Sequence, residues 1–297
     1  MFNQKTKQAL APYILTVFLF VCFIIGWHVV TALPKFDSSG LTEDELLLME
    51  FNADIVKNEN DQYVYNPEKA RGIPGPNKVL ATLVEELSHP FHKEGTNDHG
   101  IGHLVNYSVG RFVLGFISAS LVAVILGVLI GLNKTLLVAL NPFIQVLKPI
   151  SPVAWMPLLL YSVQNPFWTV TLVVFMASLW PTVANTAFGV SSIRKDFLQV
   201  SRLIEFSYFR QLIFVILPAA APAIIAGLRI SFGSALVAVV PAEMLLGELG
   251  IGYLIWIYWN NLDISGVIFA ILVVGAVGVI LDASFAKLSQ MVSYPEM

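Results

Sequence analysis

Four histidines lie within fifteen residues of one another, and clustered histidines can hold a metal ion. They are His89, His92, His99 and His103. Their spacing matches no zinc pattern, and no cysteine accompanies them. The stretch 93–98 between them is polar and typical of a turn. We therefore expect solvated loop histidines and no metal site.

Three basic residues, Arg111, Lys148 and Arg229, lie within or beside apolar runs. A charge in such a run needs a partner, a cavity or the membrane interface. Arg111 is close to the end of its run, so its side chain can reach water. Lys148 and Arg229 lie deeper, where two cations at similar depth could line a pathway for an anion. The alternative is structural pairing, for example with Glu243, and the sequence leaves both interpretations open.

Polar and aromatic residues at the same level complete a predicted substrate pathway. A buried hydroxyl in lipid more often bonds a neighbouring helix than a substrate, so each of these residues is weaker evidence than the cations. The predicted pathway residues are Lys148, Trp155, Trp180, Asn185, Arg229, Ser231 and Glu243.

No arrangement typical of an enzyme occurs. The string from Gly127 to Thr135 resembles a phosphate-binding loop, but its spacing is wrong and it ends an apolar run. No Gly-x-Ser-x-Gly or His-Glu-x-x-His string is present. We expect neither catalysis nor nucleotide binding by this chain.

The composition indicates a membrane protein. Hydrophobic residues make up 56% of the chain and charged residues 12%, whereas soluble domains carry about 25% charged residues. An apolar run of about 20 residues can cross the hydrocarbon as a helix. We predict six spans, at residues 9–33, 107–132, 136–163, 167–190, 213–240 and 264–287. The third contains four prolines and is expected to be kinked and packed inside the bundle.

The distribution of basic residues indicates the orientation, because cytoplasmic loops carry more lysine and arginine. Segment 34–105 has thirteen acids and six bases, whereas the N-terminus and the loop after the fourth span are basic. We expect both termini in the cytoplasm and segment 34–105 outside, with a short helix around 46–49 that follows Ser38 and Ser39 and another at 79–87. The first apolar run has 25 residues. That length favours an uncleaved span over a cleaved signal peptide.

The loop between the fourth and fifth spans is long enough for a short helix. Phe197, Val200, Ser201 and Ile204 would form its apolar face. One interpretation is a helix that lies on lipid headgroups. The other is a lever that docks into a soluble motor.

The end of this loop resembles the conserved cytoplasmic loop of binding-protein-dependent ABC importers. The family pattern reads Glu-Ala-Ala, three residues, Gly, nine residues, Ile, one residue, Leu-Pro. Alignment on Leu217-Pro218 places Val215 at the Ile position and Glu205 at the Gly position. Residues 199–201 then stand at Glu-Ala-Ala. The end of the pattern matches well, and the front is degenerate.

Further strings between residues 105 and 290 resemble the nitrate/sulfonate/taurine/bicarbonate branch of this family. The segment 95–102 resembles the cyanobacterial nitrate and bicarbonate members. The strings are Pro149-Ile-Ser-Pro152-Val-Ala-Trp155-Met-Pro157-Leu, Leu217-Pro218-Ala-Ala-Ala-Pro222, Gly227-Leu-Arg229-Ile, Ala242-Glu243-Met-Leu and Gly250-Ile-Gly252-Tyr-Leu.

The resemblance implies an all-α membrane protein with the six-helix fold of a type I ABC importer permease and a small periplasmic cap. It implies an N-terminal transmembrane helix at 1–33, a periplasmic insertion at 34–105, a core at 106–290 and a cytoplasmic tail at 291–297. Within the core, residues 191–212 would form the coupling loop. The residues implied to contact the ATPase are Arg194, Gln199, Val200, Ser201, Arg202, Glu205, Tyr208, Leu217 and Pro218.

The resemblance also implies the partners, the location and the cargo. It implies a homodimer, or pairing with a close relative, in a bacterial inner membrane. Two ABC ATPase subunits would bind ATP and magnesium, so no cofactor is expected in this chain, and a periplasmic binding protein or lipoprotein would deliver the substrate. Nucleic acid is not among the expected partners. The implied cargo is a small inorganic anion, nitrate or nitrite before bicarbonate, with sulfonate or taurine as a further alternative.

A secondary transporter is the alternative from a different class. Such proteins often contain inverted repeats and broken helices at the membrane midplane. Six spans without a detectable internal repeat argue against that class.

Overall fold

The chain is mainly helical and divides into two compact units. The computed structural model describes residues 2–32, 36, 41–57, 62–66, 73–95 and 98–292. Residues 1–85 together with 264–269 form the first unit, and residues 86–263 together with 270–297 form the second.

The first unit begins with α1 (Phe2–Thr31), whose described side chains are mostly exposed. α2 (Glu43–Phe51) starts at a capping box in which Thr42 and Glu45 bond each other's backbone N–H groups. The strands β1 (Ile55–Lys57) and β2 (Tyr63–Tyr65) form an antiparallel pair that the sequence did not predict.

Two helices confirm the predictions for the segment between the first two spans. α2 covers the helix expected around 46–49, and α3 (Pro76–Ser88) covers the helix expected at 79–87. Residues Ser38 and Ser39, proposed to precede the first of these helices, lie outside the described part of the chain. So do residues 293–297 of the predicted tail.

The second unit contains the remaining helices, including most of α12. A 3-10 turn, Pro152–Trp155, precedes α6, and a π-helical turn, Leu212–Ile216, joins α9 to α10. The helices are α4 (Ile101–Leu132), α5 (Lys134–Leu147), α6 (Met156–Val163), α7 (Pro166–Ser191), α8 (Lys195–Leu203), α9 (Tyr208–Gln211), α10 (Leu217–Leu246), α11 (Ile251–Asn260) and α12 (Ile264–Val292).

The predicted all-α membrane fold is confirmed. Within the described residues, five helical segments are long and apolar enough to cross a membrane: α1, α4, α7, α9 with α10, and α12. The bent pair α5 and α6 makes a sixth if it counts as one span.

The third predicted span is broken, not merely kinked. Its two halves meet at 88°. Pro149 and Pro152 lie at the break, and a proline lacks the N–H that would continue a helix. The residue before a proline also avoids the helical region, and Ser151 accordingly has ψ 126°. The expected burial of this span is not found, because Ile144 is the one buried residue among the described residues of α5 and α6.

The core of the second unit is built around α7, which packs against both α4 and α10. α7 is the most buried span, with 61% of its most apolar stretch buried, against 39% in α4. Aromatic rings fill the space beside it. The ring of Phe232 meets those of Phe112 and Phe116 edge-on, with centroids 5.0 and 5.2 Å apart, and stacks on Phe285. Such geometries add to the stabilisation from buried apolar area.

Glycines let the backbones of α4 and α7 approach closely. A Cβ atom added at Gly115 would lie 2.7 Å from the carbonyl oxygen of Thr171, and one at Gly131 would lie 2.6 Å from that of Ala187. Small residues at a helix crossing serve this purpose in membranes, where close van der Waals packing drives helix association.

Gly115→Ala should therefore destabilise the protein by about 1–3 kcal/mol, because the clash is with a backbone atom that cannot rotate away. Gly110→Ala is the matched control on the same helix, since a Cβ atom there meets nothing within 4 Å. It should be neutral or slightly stabilising. Thermal unfolding of the detergent-purified variants measures both effects. Equal midpoints would contradict the close crossing.

Candidate functional site

Arg111 forms the centre of a buried polar cluster between α4 and α10. Its Nη1 donates to Oε1 of Glu243 at 2.7 Å and to the carbonyl oxygen of Leu249 at 2.7 Å. Its Nη2 donates to Oε2 of Glu248 at 2.9 Å. The Arg111 side chain is 3% exposed and the Glu243 side chain is 0% exposed, so both charged groups are buried inside the protein.

Glu243 receives further hydrogen bonds from the start of α11 and from α4. Its Oε2 accepts from the Ser108 hydroxyl at 2.7 Å and from the N–H of Gly252 at 3.2 Å. The Ser108 oxygen in turn accepts from the N–H of Ile251 at 2.9 Å. Ser108 and Arg111 lie three residues apart, which places both on one face of α4. The cluster therefore ties three helices together at one point.

Glycine at position 250 is required for this arrangement. A Cβ atom there would lie 2.4 Å from the carboxyl carbon of Glu243. Gly247 ends α10 with φ 66°, a left-handed conformation that favours glycine. The turn between α10 and α11 thus depends on glycines both for its conformation and for the approach of its backbone to the carboxylate.

The expectation that Arg111 extends to water is wrong. Two glutamates are close enough to neutralise it, and a buried cation with such partners does not need the interface. The structural alternative considered for Lys148 and Arg229, a pair with Glu243, is also not found. Glu243 is bonded to Arg111 instead.

Lys148 and Arg229 are both exposed in the single chain. Lys148 ends α5 at the proline break. Arg229 lies on the face of α10 opposite to Gly227 and Ser231, which are buried. Neither cation forms an ion pair with another residue of the described part of the chain.

Ser231 and Asn185 lie near each other, at the crossing of α7 and α10. Ser231 is buried, accepts a hydrogen bond from the Thr182 hydroxyl at 2.8 Å and donates to the carbonyl oxygen of Leu228. Asn185 donates to the carbonyl oxygen of Pro181 and packs beside Gly227. The Thr182–Ser231 bond joins α7 to α10, which is the more common use of such groups in a bilayer, whereas the bonds to Leu228 and Pro181 lie within one helix.

The two tryptophans of the predicted pathway are half-buried. Trp155 ends the 3-10 turn at the proline break, and Trp180 packs on α7 against the cluster that contains Leu179 and Val183. The structure therefore does not gather all predicted pathway residues around one cavity of the single chain. Their role in a pathway stays a prediction.

The predicted coupling loop contains α8, which presents an uncovered apolar face. Phe197, Val200 and Ile204 are exposed, whereas Ser201 is buried. The Ser201 hydroxyl donates to the carbonyl oxygen of Leu198 and accepts from the Gln211 amide at 2.8 Å. Ser201 therefore anchors α8 to α9, and the other three residues remain available for a partner.

The remaining coupling residues surround this face. Arg194 bonds Asp196 at 2.8 Å in an exposed ion pair. Gln199, Tyr208 and Pro218 are exposed, and Leu217 is half-buried at the start of α10. Arg202 lies in α8, and its side chain lies outside the described part of the chain.

Glu205 adopts φ 57°, in the left-handed region that glycine favours. This is the position at which the aligned family pattern has glycine. The chain therefore forms the turn that follows α8 without the glycine, at the steric cost of a side chain in a left-handed conformation.

The histidine segment is ordered by local bonds. Nε2 of His92 lies 3.2 Å from the Asp98 carboxylate. The carbonyl of His89 and this carboxylate raise the pKa of His92 above its usual value. The expectation of solvated loop histidines is wrong for two of the four, because His99 is buried and His103 is half-buried in α4, where it contacts the carbonyl oxygen of Phe91. In the described part of the chain, no group of three His, Cys, Asp or Glu side chains could hold a metal.

Sequence reasoning missed the cluster around Arg111, although a signal was present. Arg111 and Glu243 both lie near a span end, and the alternating direction of the spans puts those ends on the same side. Two opposite charges at the same depth are expected to pair. Glu248 and Ser108 carried no comparable signal.

Comparison with known proteins identifies a family and relatives that cover most of the chain. Residues 119–294 match the family described as "Binding-protein-dependent transport system inner membrane component". The chain is 38% identical to the nitrate import permease protein NrtB of a Synechocystis strain, over 74% of this chain and 80% of that protein.

Two permeases of Synechococcus elongatus are equally similar to the chain. The bicarbonate transport system permease protein CmpB is 35% identical over 77% of this chain and 84% of its own length. The nitrate import permease protein NrtB of the same species is 35% identical over 74% and 81%. Overall identity therefore does not separate nitrate from bicarbonate relatives.

Arg111→Met should destabilise the protein by about 3–5 kcal/mol, because it leaves Glu243 as a buried charge without its cation. Adding Glu243→Gln to Arg111→Met removes that charge and should restore part of the loss. Thermal unfolding in detergent of the two single variants and the double variant gives the coupling free energy. Strictly additive losses would contradict the ion pair.

Proposed function

The chain belongs to the family of binding-protein-dependent transport system inner membrane components, and we propose that it is the permease subunit of an ATP-binding-cassette importer for a small inorganic anion. Nitrate or nitrite is the preferred cargo, with bicarbonate second and sulfonate or taurine third. The similarity to both nitrate and bicarbonate permeases supports an anion of this kind.

The anion assignment rests on a difference in pairing between the three basic residues of the spans: one is paired with acids of the chain, and two form no ion pair within the described residues. Arg111 is neutralised by two carboxylates, so it is not available to a substrate. Lys148 and Arg229 are exposed and form no ion pair within the described residues. A cation in a span needs a partner or an aqueous cavity. A pathway between subunits would supply the cavity, and a passing anion would supply the partner.

The proposed assembly contains a second permease subunit, either a copy of this chain or a close relative, and two ATPase subunits that bind ATP and magnesium. A binding protein or lipoprotein delivers the anion at the opposite side. Lys148 lies at the end of α5, and Arg229 lies on α10. A second subunit would enclose a pathway against the exposed faces of α5, α6 and α10.

The proposed orientation places both termini in the cytoplasm and residues 34–105 outside as a cap. The lysines and arginines of the N-terminus and of the loop 191–212 support it, because cytoplasmic segments carry more of them. The coupling loop 191–212 then lies in the cytoplasm, where the exposed face of α8 docks in the ATPase. Closure of the ATPase pair on ATP would draw two such loops together and shift the pathway from inward-open to outward-open.

Reconstitution of the chain with its ATPase and binding-protein partners in proteoliposomes tests this function. Nitrate uptake should require ATP and all partners, and competition by bicarbonate or taurine ranks the cargoes. Anion flux through the purified chain alone, driven by an ion gradient, would instead support the secondary transporter.

Lys148→Gln and Arg229→Gln should each lower nitrate uptake by about tenfold, which corresponds to the loss of one charge-assisted contact of about 1.4 kcal/mol. Lys134→Gln is the matched control, because Lys134 is an exposed lysine at the other end of α5. Uptake at low nitrate concentration, with assembly and basal ATP hydrolysis measured in parallel, separates transport from folding. Unchanged uptake in both variants would reject a substrate role for these cations.

Glu205→Gly should preserve coupling between ATP hydrolysis and transport, because glycine adopts a positive φ without strain. Glu205→Val should weaken coupling, because a β-branched side chain is a strong outlier in this region. Glu205→Asn serves as the control, since asparagine tolerates the conformation. The measured quantity is nitrate transported per ATP hydrolysed. Equal ratios for glycine and valine would show that the turn is not needed for coupling.

A further inference from the structure

The turn that ends α11 places a leucine where helices favour glycine. The N–H of Asp263 bonds the carbonyl oxygen of Tyr258 at 2.9 Å, and the N–H of Leu262 bonds that of Trp259 at 3.1 Å. This is the Schellman pattern, whose left-handed residue is usually glycine. Leu262 occupies that position at φ 58°. A bulky side chain is an outlier in this region, so the turn carries a conformational cost that glycine would remove.

The strained residue presents an apolar side chain outward. Leu262 is 79% exposed, so packing within the chain does not offset the cost of its conformation. Trp256 and Trp259, which are 41% and 53% exposed, lie three residues apart on one face of α11, and Leu262 follows at the same spacing. These three residues form the α11 tip. Strain of this kind persists where a function requires it.

The neighbours of the α11 tip favour a protein partner over lipid. Asn260 and Asn261 are exposed, and Asp263 directly follows Leu262. Insertion of Leu262 into hydrocarbon would carry these polar groups with it, at a high cost. A protein pocket can take the leucine and leave the polar groups at a solvated rim. Helices that lie on membranes are also rich in lysine and arginine, whereas residues 230–286 contain neither.

We propose that the α11 tip is the docking point for the binding protein that delivers the anion. This inference rests on the proposed function, because in the proposed orientation α10 crosses the membrane outward and α11 follows it on the outer side. Tryptophan is typical of the residues that contribute most to binding at protein interfaces. The predicted partner surface is an apolar pocket that takes Leu262. Its rim should be basic, because the proposed outer segment 34–105 has thirteen acids and six bases.

Leu262→Gly should change stability and docking in opposite directions. It relieves the left-handed strain, so the midpoint of thermal unfolding should rise by about 2–4 °C. It also removes the apolar side chain. The affinity of the nitrate-loaded binding protein for the complete transporter in nanodiscs should therefore fall about tenfold, as expected for the loss of a buried leucine.

Gln164→Gly is the matched control for the strain. Gln164 ends α6 at φ 54° and is exposed, so glycine relieves the same kind of strain there without removing an apolar group. This variant should raise the unfolding midpoint and leave the affinity for the binding protein unchanged. Trp259→Ala should lower the affinity about tenfold without raising the midpoint, because Trp259 belongs to the tip but lies in a helical conformation.

A reporter thiol tests directly what covers the tip. Cys22 is the one cysteine of the chain, so Cys22→Ser with Leu262→Cys leaves a single thiol at the turn. A membrane-impermeant maleimide should label it readily in the transporter alone. Binding protein at about ten times the Kd measured for this variant should slow the labelling about tenfold.

The outcomes separate the docking point from the proposed function. Slow labelling in the transporter alone would show that lipid or the second permease subunit covers the tip, and would overturn the docking point. Equal affinities for the parent and Leu262→Gly would overturn it too, while ATP-driven uptake by the parent would leave the proposed function intact. A parent complex that takes up no anion and binds no binding protein would reject the proposed function, and the docking point with it.

Discussion

Arg111 and Glu243 must meet because neither charge can face lipid alone. A guanidinium and a carboxylate in a span each lose far more hydration than a single contact returns. The pair therefore fixes the depth of α4 relative to α10, and the additional bonds from Ser108 and Gly252 extend the constraint to α11. The pair thus supplements the packing of α4 and α10 on α7 with a polar contact at one end of both helices.

The same constraint determines which cations are available for function. One cation, Arg111, is used to neutralise acids of the chain itself. Lys148 stands at a proline break, and Arg229 lies on a face of α10 turned away from α7. Since α7 is already packed between α4 and α10, these two charges cannot be covered by the core of their own subunit. Both side chains therefore stay exposed in the single chain.

The sequence predicted the features that depend on local pattern and missed those that depend on contacts between distant segments. Span positions follow from run length, and α2 and α3 follow from their apolar residues, although the cap of α2 at Thr42 was not predicted. The partner of Glu243 was missed because Arg111 was expected to reach water, and only Lys148 and Arg229 were considered as its cations. The sequence predicted a kink in the third span but not a break of 88°, because the size of the bend depends on the combined effect of Pro149 and Pro152. Membership in the family did not supply any of these details.

Glu205 stands where the aligned family pattern has glycine, and it adopts a backbone conformation that glycine favours. The family pattern has glycine where the chain has to adopt a positive φ, yet the requirement is on the backbone, not on the residue. Glu205 meets it at φ 57°, at a cost of about 1–2 kcal/mol. Ser201 compensates on the preceding turn, where its hydroxyl bonds Gln211 and holds α8 against α9. The left-handed turn after α8 is therefore formed without glycine, beside a polar contact that joins α8 to α9.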